Sequence, residues 1–187
     1  MELPLEVPEL RAGPYRLRAW QVKDLTLVRE ASSDSHIPMI TTVPSNYTDQ
    51  EGRLFLQRQW DRAVSGEGYS FVIAEAEGDR GIGAIGLWLR NIDLGRASVG
   101  YWVAPSARGR QVARHALCAV RDWAFATLHI PRLELYVEPW NTASIRTAEA
   151  AGFRREGLLR SWETVGHERR DMLIFSSIEG DALLVRS

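Results

Sequence analysis

The chain has 187 residues, of which 45% are hydrophobic and 25% charged, and its net charge is −1. This length and composition allow one sizeable core, and the near-neutral charge gives no electrostatic basis for binding nucleic acid. The single cysteine excludes an internal disulfide framework, and no apolar run approaches the ~20 residues of a membrane span. We therefore expect a cytoplasmic protein that binds neither nucleic acid nor membrane.

The beginning of the chain predicts an arm, a strand and a helix. Residues 1–13 contain two prolines and three glutamates and predict an extended arm, and residues 14–187 predict a single domain. Alternation with period two predicts a strand over residues 15–20, and a first helix is expected over residues 23–32. Residues 33–47 contain two prolines that act as breakers, so this segment is predicted to be irregular.

The middle of the chain predicts a second helix and an antiparallel meander. Thr48 and Glu51 resemble a capping box that opens a helix toward Val64. Gly66 and Gly68 end that helix. Three strands with hairpin-like connections are predicted next, over residues 69–75, 81–90 and 97–103.

The remaining elements alternate between helices and strands. A long helix with an apolar stripe is predicted from about residue 109 to residue 128. A strand follows over residues 133–137, and Asn141 is a good N-cap for a short helix that ends near Ala151. The last two predicted strands cover residues 153–163 and 168–178.

This order of elements predicts a mixed α+β fold, in which about four helices flank a mostly antiparallel twisted sheet. The connection between the strands 97–103 and 133–137 is helical, so these two strands are expected to be parallel neighbours. We expect a gap between them in which a ligand can pair with exposed strand edges.

Two other patterns are set aside. Residues 81–86 spell GxGxxG, but a dinucleotide-binding fingerprint requires a helix after the glycines, and here a strand-like segment follows. Among the histidines, only His115 has a second possible ligand at metal-binding spacing, Cys118, and both lie inside the predicted long helix. The sequence therefore predicts no metal site.

The most informative stretch is residues 101–113. An apolar run ends at Pro105, a short turn of small residues, Arg and Gly follows, and a long helix then begins. This arrangement directs the free amide groups of a helix start into a loop at the end of a strand, where they suit a phosphate. Asn141 creates a second helix start after the neighbouring strand. Together these features predict a cleft with phosphate donors at one end.

These residues resemble the GNAT superfamily of acetyl-coenzyme A-dependent N-acetyltransferases, over nearly all of residues 14–179. Within it, the chain most resembles the branch that acetylates the N-terminal amines of ribosomal proteins. The motifs that carry the resemblance are residues 101–105, 108–113, 141–144 with 152–153, and 169–171. The resemblance implies a GNAT-like fold, with the central parallel strands splayed to hold acetyl-CoA.

The resemblance also implies which residues bind acetyl-CoA. They are Trp102, Val103, Arg108, Gly109, Arg110, Gln111, Val112, Ala113 and Asn141. The family's loop reads Arg/Gln-x-x-Gly-x-Gly/Ala, and Gln111 stands where the first glycine is expected. Because backbone amides bind the phosphates, a side chain is tolerated there if φ is helical. We expect the loop to bind coenzyme A, with Gln111 pointing away from the phosphates.

The same resemblance implies catalytic roles for Ser144 and Glu163. Ser144 would donate a proton to the departing thiolate, and the alternative is a hydroxyl that bonds the helix start. Glu163 would act as general base, and the alternative is an exposed charge at a strand end. Trp162 and the turn at Gly166 would partly desolvate Glu163 and raise its pKa.

The acceptor is expected to bind between two loops. Residues 33–47 form one wall and residues 164–167 the other, and the predicted substrate-binding residues are Asp34, His36, Met39, Trp162 and His167. The acceptor is expected to be the N-terminal amine of a ribosomal or other protein. Two alternatives stay open: acetylation of an aminoglycoside, amino acid or polyamine, and an acyl-CoA-binding protein without activity, which only Gln111 favours. Exposed aromatics such as Trp60 or Trp88 leave room for a homodimer.

Overall fold

A computed structural model of the chain describes residues 3–181, and their strands form one open eight-stranded sheet. In chain order the strands are Leu10–Ala12 (β1), Tyr15–Arg18 (β2), Gly68–Glu75 (β3), Gly81–Trp88 (β4), Arg96–Val103 (β5), Arg132–Val137 (β6), Arg154–Val165 (β7) and Glu168–Ile178 (β8). The α-helices are Leu25–Ser32 (α1), Ile37–Ile40 (α2), Asp49–Val64 (α3), Val112–Ala126 (α4) and Thr142–Ala150 (α5).

The strand order places one parallel pair in the middle of the sheet. The order is β1-β2-β3-β4-β5-β6-β8-β7, and only β5 and β6 run parallel within the described part of the chain. Their pairing covers Arg96–Ser98 against Arg132–Glu134. Beyond it, β5 continues along β4 as far as Val103, and β6 continues along β8 as far as Val137. The two strands therefore part, which confirms the predicted fold and the gap at its centre.

Both faces of the sheet are covered, which explains the unbroken apolar runs in β3 and β4. Phe71 and Ile73 face the layer that contains α4, and Val72 faces the layer that contains α1 and α3. Trp102 belongs to the second layer, where it packs against Trp20 with ring centroids 6.4 Å apart. Its neighbours Tyr101 and Val103 point to the α4 side.

The GxGxxG segment forms β4, as the sequence indicates, and after the glycines the chain continues as a strand to Trp88 instead of opening a helix. A Cβ atom added at Gly83 would stand 2.6 Å from the carbonyl oxygen of Trp102 on β5. A glycine at this position allows the two strands to approach.

Two short elements differ from the predictions. The segment expected to be an arm contains β1, which pairs with β2 around a turn at Gly13. The segment expected to be irregular contains α2, so the α-helices number five within residues 3–181. Pro38 lies in the first turn of α2, where proline is tolerated. The Asp34 side chain caps that turn by accepting from the amides of His36 and Ile37.

Trp60 and Trp88, the two tryptophans considered for a homodimer contact, both interact with other residues of the same chain. The indole N–H of Trp60 donates to the carbonyl of Trp20, and the Arg62 guanidinium lies over the Trp88 ring at 4.6 Å. Within residues 3–181, no helix has both the length and the apolarity to cross a membrane. The same residues contain no cluster of three side chains that could hold a metal ion.

Candidate active site at the parting of two parallel strands

The loop between β5 and α4 presents a row of free backbone donors. The amides of residues 109–114 make no well-formed hydrogen bond with any residue that the structure describes. Gly109 has a φ of 77° and Gln111 a φ of 56°, whereas φ is negative at Arg110 and Val112. Alternation of this kind turns successive N–H groups toward one side and forms a nest for an anion. The loop therefore has the geometry expected of a phosphate site.

The expectation of a helical φ at Gln111 is wrong. Gln111 is the N-cap of α4 and lies in the left-handed region, with φ 56° and ψ 20°. The turn into α4 imposes the glycine conformation on a residue that has a Cβ, which costs about 1–2 kcal/mol. The Gln111 side chain accepts a hydrogen bond from Arg114, with Nη1 and Oε1 2.9 Å apart. The loop thus keeps the glycine-like backbone conformation without a glycine.

We expect Gln111→Gly to raise the free energy of unfolding by about 0.5–1 kcal/mol, because the relief of left-handed strain exceeds the entropy that glycine loses on folding. Denaturant unfolding measures this change, and Gln111→Ala, which keeps the strain, serves as the control without a gain. Isothermal titration should find acetyl-CoA bound by both the wild type and Gln111→Gly. A wild type that does not bind, beside a glycine variant that binds tightly, would contradict the expectation that the loop binds coenzyme A with Gln111 in place.

The loop arginines hold the loop in place instead of facing the nest. Arg108 Nη2 lies 2.7 Å from Asp34 Oδ2, and its Nε donates to the Val103 carbonyl at 3.3 Å. Arg110 Nη2 donates to Glu75 Oε1 at 2.8 Å. Asp34, a predicted substrate-binding residue, therefore has its carboxylate engaged by Arg108 and by the cap of α2. Val112 is buried in the core and Ala113 follows it in the first turn of α4, so the helix start is anchored.

The Ser144 side chain contacts Tyr101, which the sequence did not single out as a site residue, near the point where β5 and β6 separate. The Asn141 side chain caps α5 by accepting from the Ser144 amide at 3.0 Å, as the sequence indicates. The Ser144 hydroxyl is 2.8 Å from the Tyr101 hydroxyl, and the two share a hydrogen bond. Burial raises the pKa of Tyr101, although the bond to Ser144 opposes this, so the phenol stays protonated at neutral pH. The alternation of β5, which turns Tyr101 toward the α4 side, is the signal that could have identified it.

A bulge in β7 determines where Glu163 points. The pairing of β7 with β8 shifts between Leu159 and Glu163, and Ser161 there has a φ of 49°. Bulges of this kind re-aim the side chains beside them. Trp162 consequently stacks on the Tyr136 ring of β6 at 5.8 Å, and Glu163 stands opposite Arg170 of β8. Partial desolvation, and then repulsion from the Glu138 carboxylate, raises the pKa of Glu163.

Glu138, which the sequence did not single out, follows directly after β6. It is 7% exposed, and its Oε1 lies 3.9 Å from Nε of Arg170. Its Oε2 accepts no hydrogen bond from the residues that the structure describes, and Nε2 of His36 is 3.4 Å away. Its position immediately after a strand that leads into the predicted cleft is the signal that could have pointed to it.

The two predicted acceptor loops lie against each other. A Cβ atom added at Gly166, in the turn between β7 and β8, would stand 3.4 Å from the Met39 methyl group. The His36 ring meets the Trp140 ring edge-on, with centroids 5.0 Å apart. His167 is exposed in the same turn as Gly166. The contact of substrate with any of these residues stays a prediction.

The sheet has the strand order β1-β2-β3-β4-β5-β6-β8-β7, its two parallel strands separate, and a nest of backbone amides lies beside them. These features together define the N-acetyltransferase class of fold. The model of the acetyltransferase (GNAT) domain matches residues 15–154, and the chain belongs to this family of N-acetyltransferases. The uncharacterized N-acetyltransferase p20 of Bacillus licheniformis is 29% identical over 164 residues, which cover 87% of this chain and 92% of that protein.

Solved structures share the fold over almost the whole chain. Mycobacterium smegmatis RimJ, in complex with CoA-disulfide, is 26% identical with a TM-score of 0.80, and the match covers 98% of this chain and 95% of that one. The ribosomal-protein-S5-alanine acetyltransferase of Vibrio fischeri is 18% identical with a TM-score of 0.77, and the match covers 93% and 98%. At that identity the second likeness concerns the fold alone.

Proposed function

We propose that this N-acetyltransferase uses acetyl-CoA and binds its pyrophosphate on the free amides of residues 109–114. That row of donors carries the proposal, and the CoA-disulfide bound to RimJ supports it. The gap between β5 and β6 then receives the pantetheine arm beside Asn141, and acetyl-CoA supplies the acetyl group as a thioester. Gln111 is the only feature that favours an acyl-CoA-binding protein without activity, and the loop keeps its row of free amides despite that residue.

Three groups of the chain provide the proton chemistry of this proposal. Unpaired backbone amides on the β5 edge polarise the thioester carbonyl in the manner of an oxyanion hole. Glu163 removes a proton from the acceptor amine, and its raised pKa makes it a better base. Ser144 gives its proton to the departing thiolate, and the Tyr101 phenol, held protonated, resupplies Ser144 through their hydrogen bond.

We further propose that the acceptor is the N-terminal α-amine of a protein, such as a ribosomal protein. The likeness to RimJ over nearly the full chain supports this acceptor. An α-amine has a pKa of about 7.7–8.0 and a lysine amine about 10.4, so a carboxylate base is better matched to an α-amine. The exposed rings of Trp140 and Trp162 offer apolar surface to the first side chains of a peptide.

A thiol-release screen with acetyl-CoA tests this function. The panel contains peptides with free N-termini, the same peptides N-acetylated, aminoglycosides, amino acids and polyamines. We expect turnover with the free peptides and none with the acetylated ones. Faster turnover with a small amine would contradict the peptide acceptor and identify that class of amine as the substrate. No thiol release with any amine would contradict acetyl transfer from acetyl-CoA.

A further inference from the structure

The Glu138 carboxylate is unusual because it is buried and one of its oxygens lacks a hydrogen bond. The side chain is 6% exposed, and Oε2 accepts no bond from the described residues. A buried charge with an unbonded oxygen costs stability. Among the described residues, the guanidinium nearest to it is that of Arg170, whose Nε is 3.9 Å from Oε1 and whose Nη2 is 2.6 Å from Glu168. Such a residue is expected where function requires it.

His36, a predicted substrate-binding residue, lies beside this carboxylate. Its Nε2 lies 3.4 Å from Oε2 of Glu138, and the side chain is 25% exposed. Neither ring nitrogen forms a hydrogen bond with the residues that the structure describes. The backbone of His36 is fixed by Asp34, which Arg108 ties to the amide loop. The backbone of His36 is thus held in place, and its imidazole packs against Trp140 and is partly exposed.

The pair has the arrangement that activates an imidazole elsewhere in proteins. A carboxylate beside one ring nitrogen keeps the proton on that nitrogen and stabilises the imidazolium, which leaves the other nitrogen basic. Bonds of this type are often long before substrate binds and shorten in the complex. Here Glu138 would hold the proton on Nε2, and Nδ1 would present its lone pair to the acceptor.

We propose that His36 is a second proton acceptor for the amine and that Glu138 is its positioning residue. The proposal rests on the proposed acetyl transfer. An acceptor that arrives as an ammonium ion must lose two protons from nitrogen, one before it attacks the carbonyl carbon and one after the N–C bond has formed. The electron pair of the broken C–S bond leaves on sulfur, which takes a proton from Ser144.

Two bases account for the two protons. Glu163 takes one and His36 the other, and with one proton returned to sulfur, a single proton is released to solvent for each ammonium acetylated. On its own segment, His36 is next to Asp34, whose carboxylate accepts from the His36 amide and pairs with Arg108. From neighbouring elements, Glu138 after β6 lies beside the ring, and Arg170 on β8, which stands opposite Glu163 of β7, lies beside Glu138. Asp34 is balanced by Arg108, whereas Glu138, Glu163 and Glu168 share the single cation Arg170, so this region also attracts an ammonium ion.

Chemical rescue tests the role of His36 with the peptide that turns over fastest. We expect His36→Ala to lower kcat about 100-fold with unchanged affinity for acetyl-CoA, and free imidazole to restore activity to His36→Ala but not to Glu163→Gln. His129→Asn, which removes an imidazole far from the site along the chain, should retain kcat. Retained turnover in His36→Ala, or a loss that imidazole does not restore, overturns the proposal.

A double-mutant cycle tests Glu138. We expect Glu138→Gln to lower kcat about 10-fold with no decrease in melting temperature, and the double variant to be no slower than His36→Ala alone. Glu149→Gln, an equal charge change at an exposed position of α5, should be neutral. Additive losses would overturn the positioning role. A wild type that acetylates no amine would instead contradict the proposed function, and this inference with it.

Discussion

Glu163→Gln is expected to lower kcat for acetyl transfer by about 10²- to 10⁴-fold, the range that a general base contributes. Glutamine keeps the size of the side chain but cannot accept the proton that the ammonium group must lose. The affinity for acetyl-CoA should not change, because its proposed binding site, the amides of residues 109–114, follows β5, whereas Glu163 lies on β7. Steady-state rates and isothermal titration separate these two effects.

The pH dependence gives a second readout for Glu163. Its pKa is raised by partial desolvation and by Glu138, so the wild-type rate should fall on the acid side as the carboxylate becomes protonated. A carboxyl group whose folded pKa exceeds the unfolded value costs stability at neutral pH, and the variant should therefore melt no lower than the wild type. Full activity of Glu163→Gln between about pH 6 and pH 9 would exclude the role, and Glu149→Gln is the charge-matched control.

The elements that the sequence predicts best are those determined by neighbours in the chain. The Thr48 hydroxyl accepts from the amide of Glu51, and the Asn141 side chain accepts from the amide of Ser144, each three residues away. Caps of this kind need no tertiary partner, so both helix starts follow from local chemistry. Gly152, with a φ of 81°, ends α5 for the same local reason.

The elements that the sequence missed depend on distant partners. β1 is a strand because β2 pairs with it, and α2 is stabilised by Asp34, whose carboxylate Arg108 also holds from far along the chain. Gln111 takes a glycine conformation because the turn into α4 requires it. The intrinsic conformational preferences of the residues in a segment do not show that a neighbouring element will impose a different backbone conformation on that segment.

The same limit applies to the candidate site. Tyr101 meets Ser144, and Glu138 meets His36, only because β6 lies between β5 and β8 in the sheet. No periodicity within a single element indicates either pair. The bulge that aims Glu163 is visible only in the register of β7 against β8. The sequence could therefore name Ser144 and Glu163 through a resemblance, whereas their partners required the fold.

The far end of the sheet contains a buried ion pair that joins three segments. Arg18 on β2 donates from Nη1 and Nη2 to the two carboxylate oxygens of Asp24, at 2.8 and 2.9 Å. Its Nε donates to Asp79, in the turn between β3 and β4, at 2.7 Å. Asp24 is 1% exposed and also accepts from the amide of Gln21. The charges of Arg18 and Asp24 are therefore both paired. Removal of one of these two side chains would leave the charge of the other buried without that partner.

Asp24→Ala is accordingly expected to lower the free energy of unfolding by about 3–5 kcal/mol, the cost of breaking a buried pair. The exposed pair of Arg29 and Asp49, with side chains 63% and 74% exposed, provides the matched control. Asp49→Ala should cost at most about 1 kcal/mol, because solvent screens that pair. Denaturant unfolding of both variants measures the difference. An equal loss in the two would show that Arg18 is satisfied by Asp79 alone, and that the Asp24 carboxylate contributes no more than a surface charge.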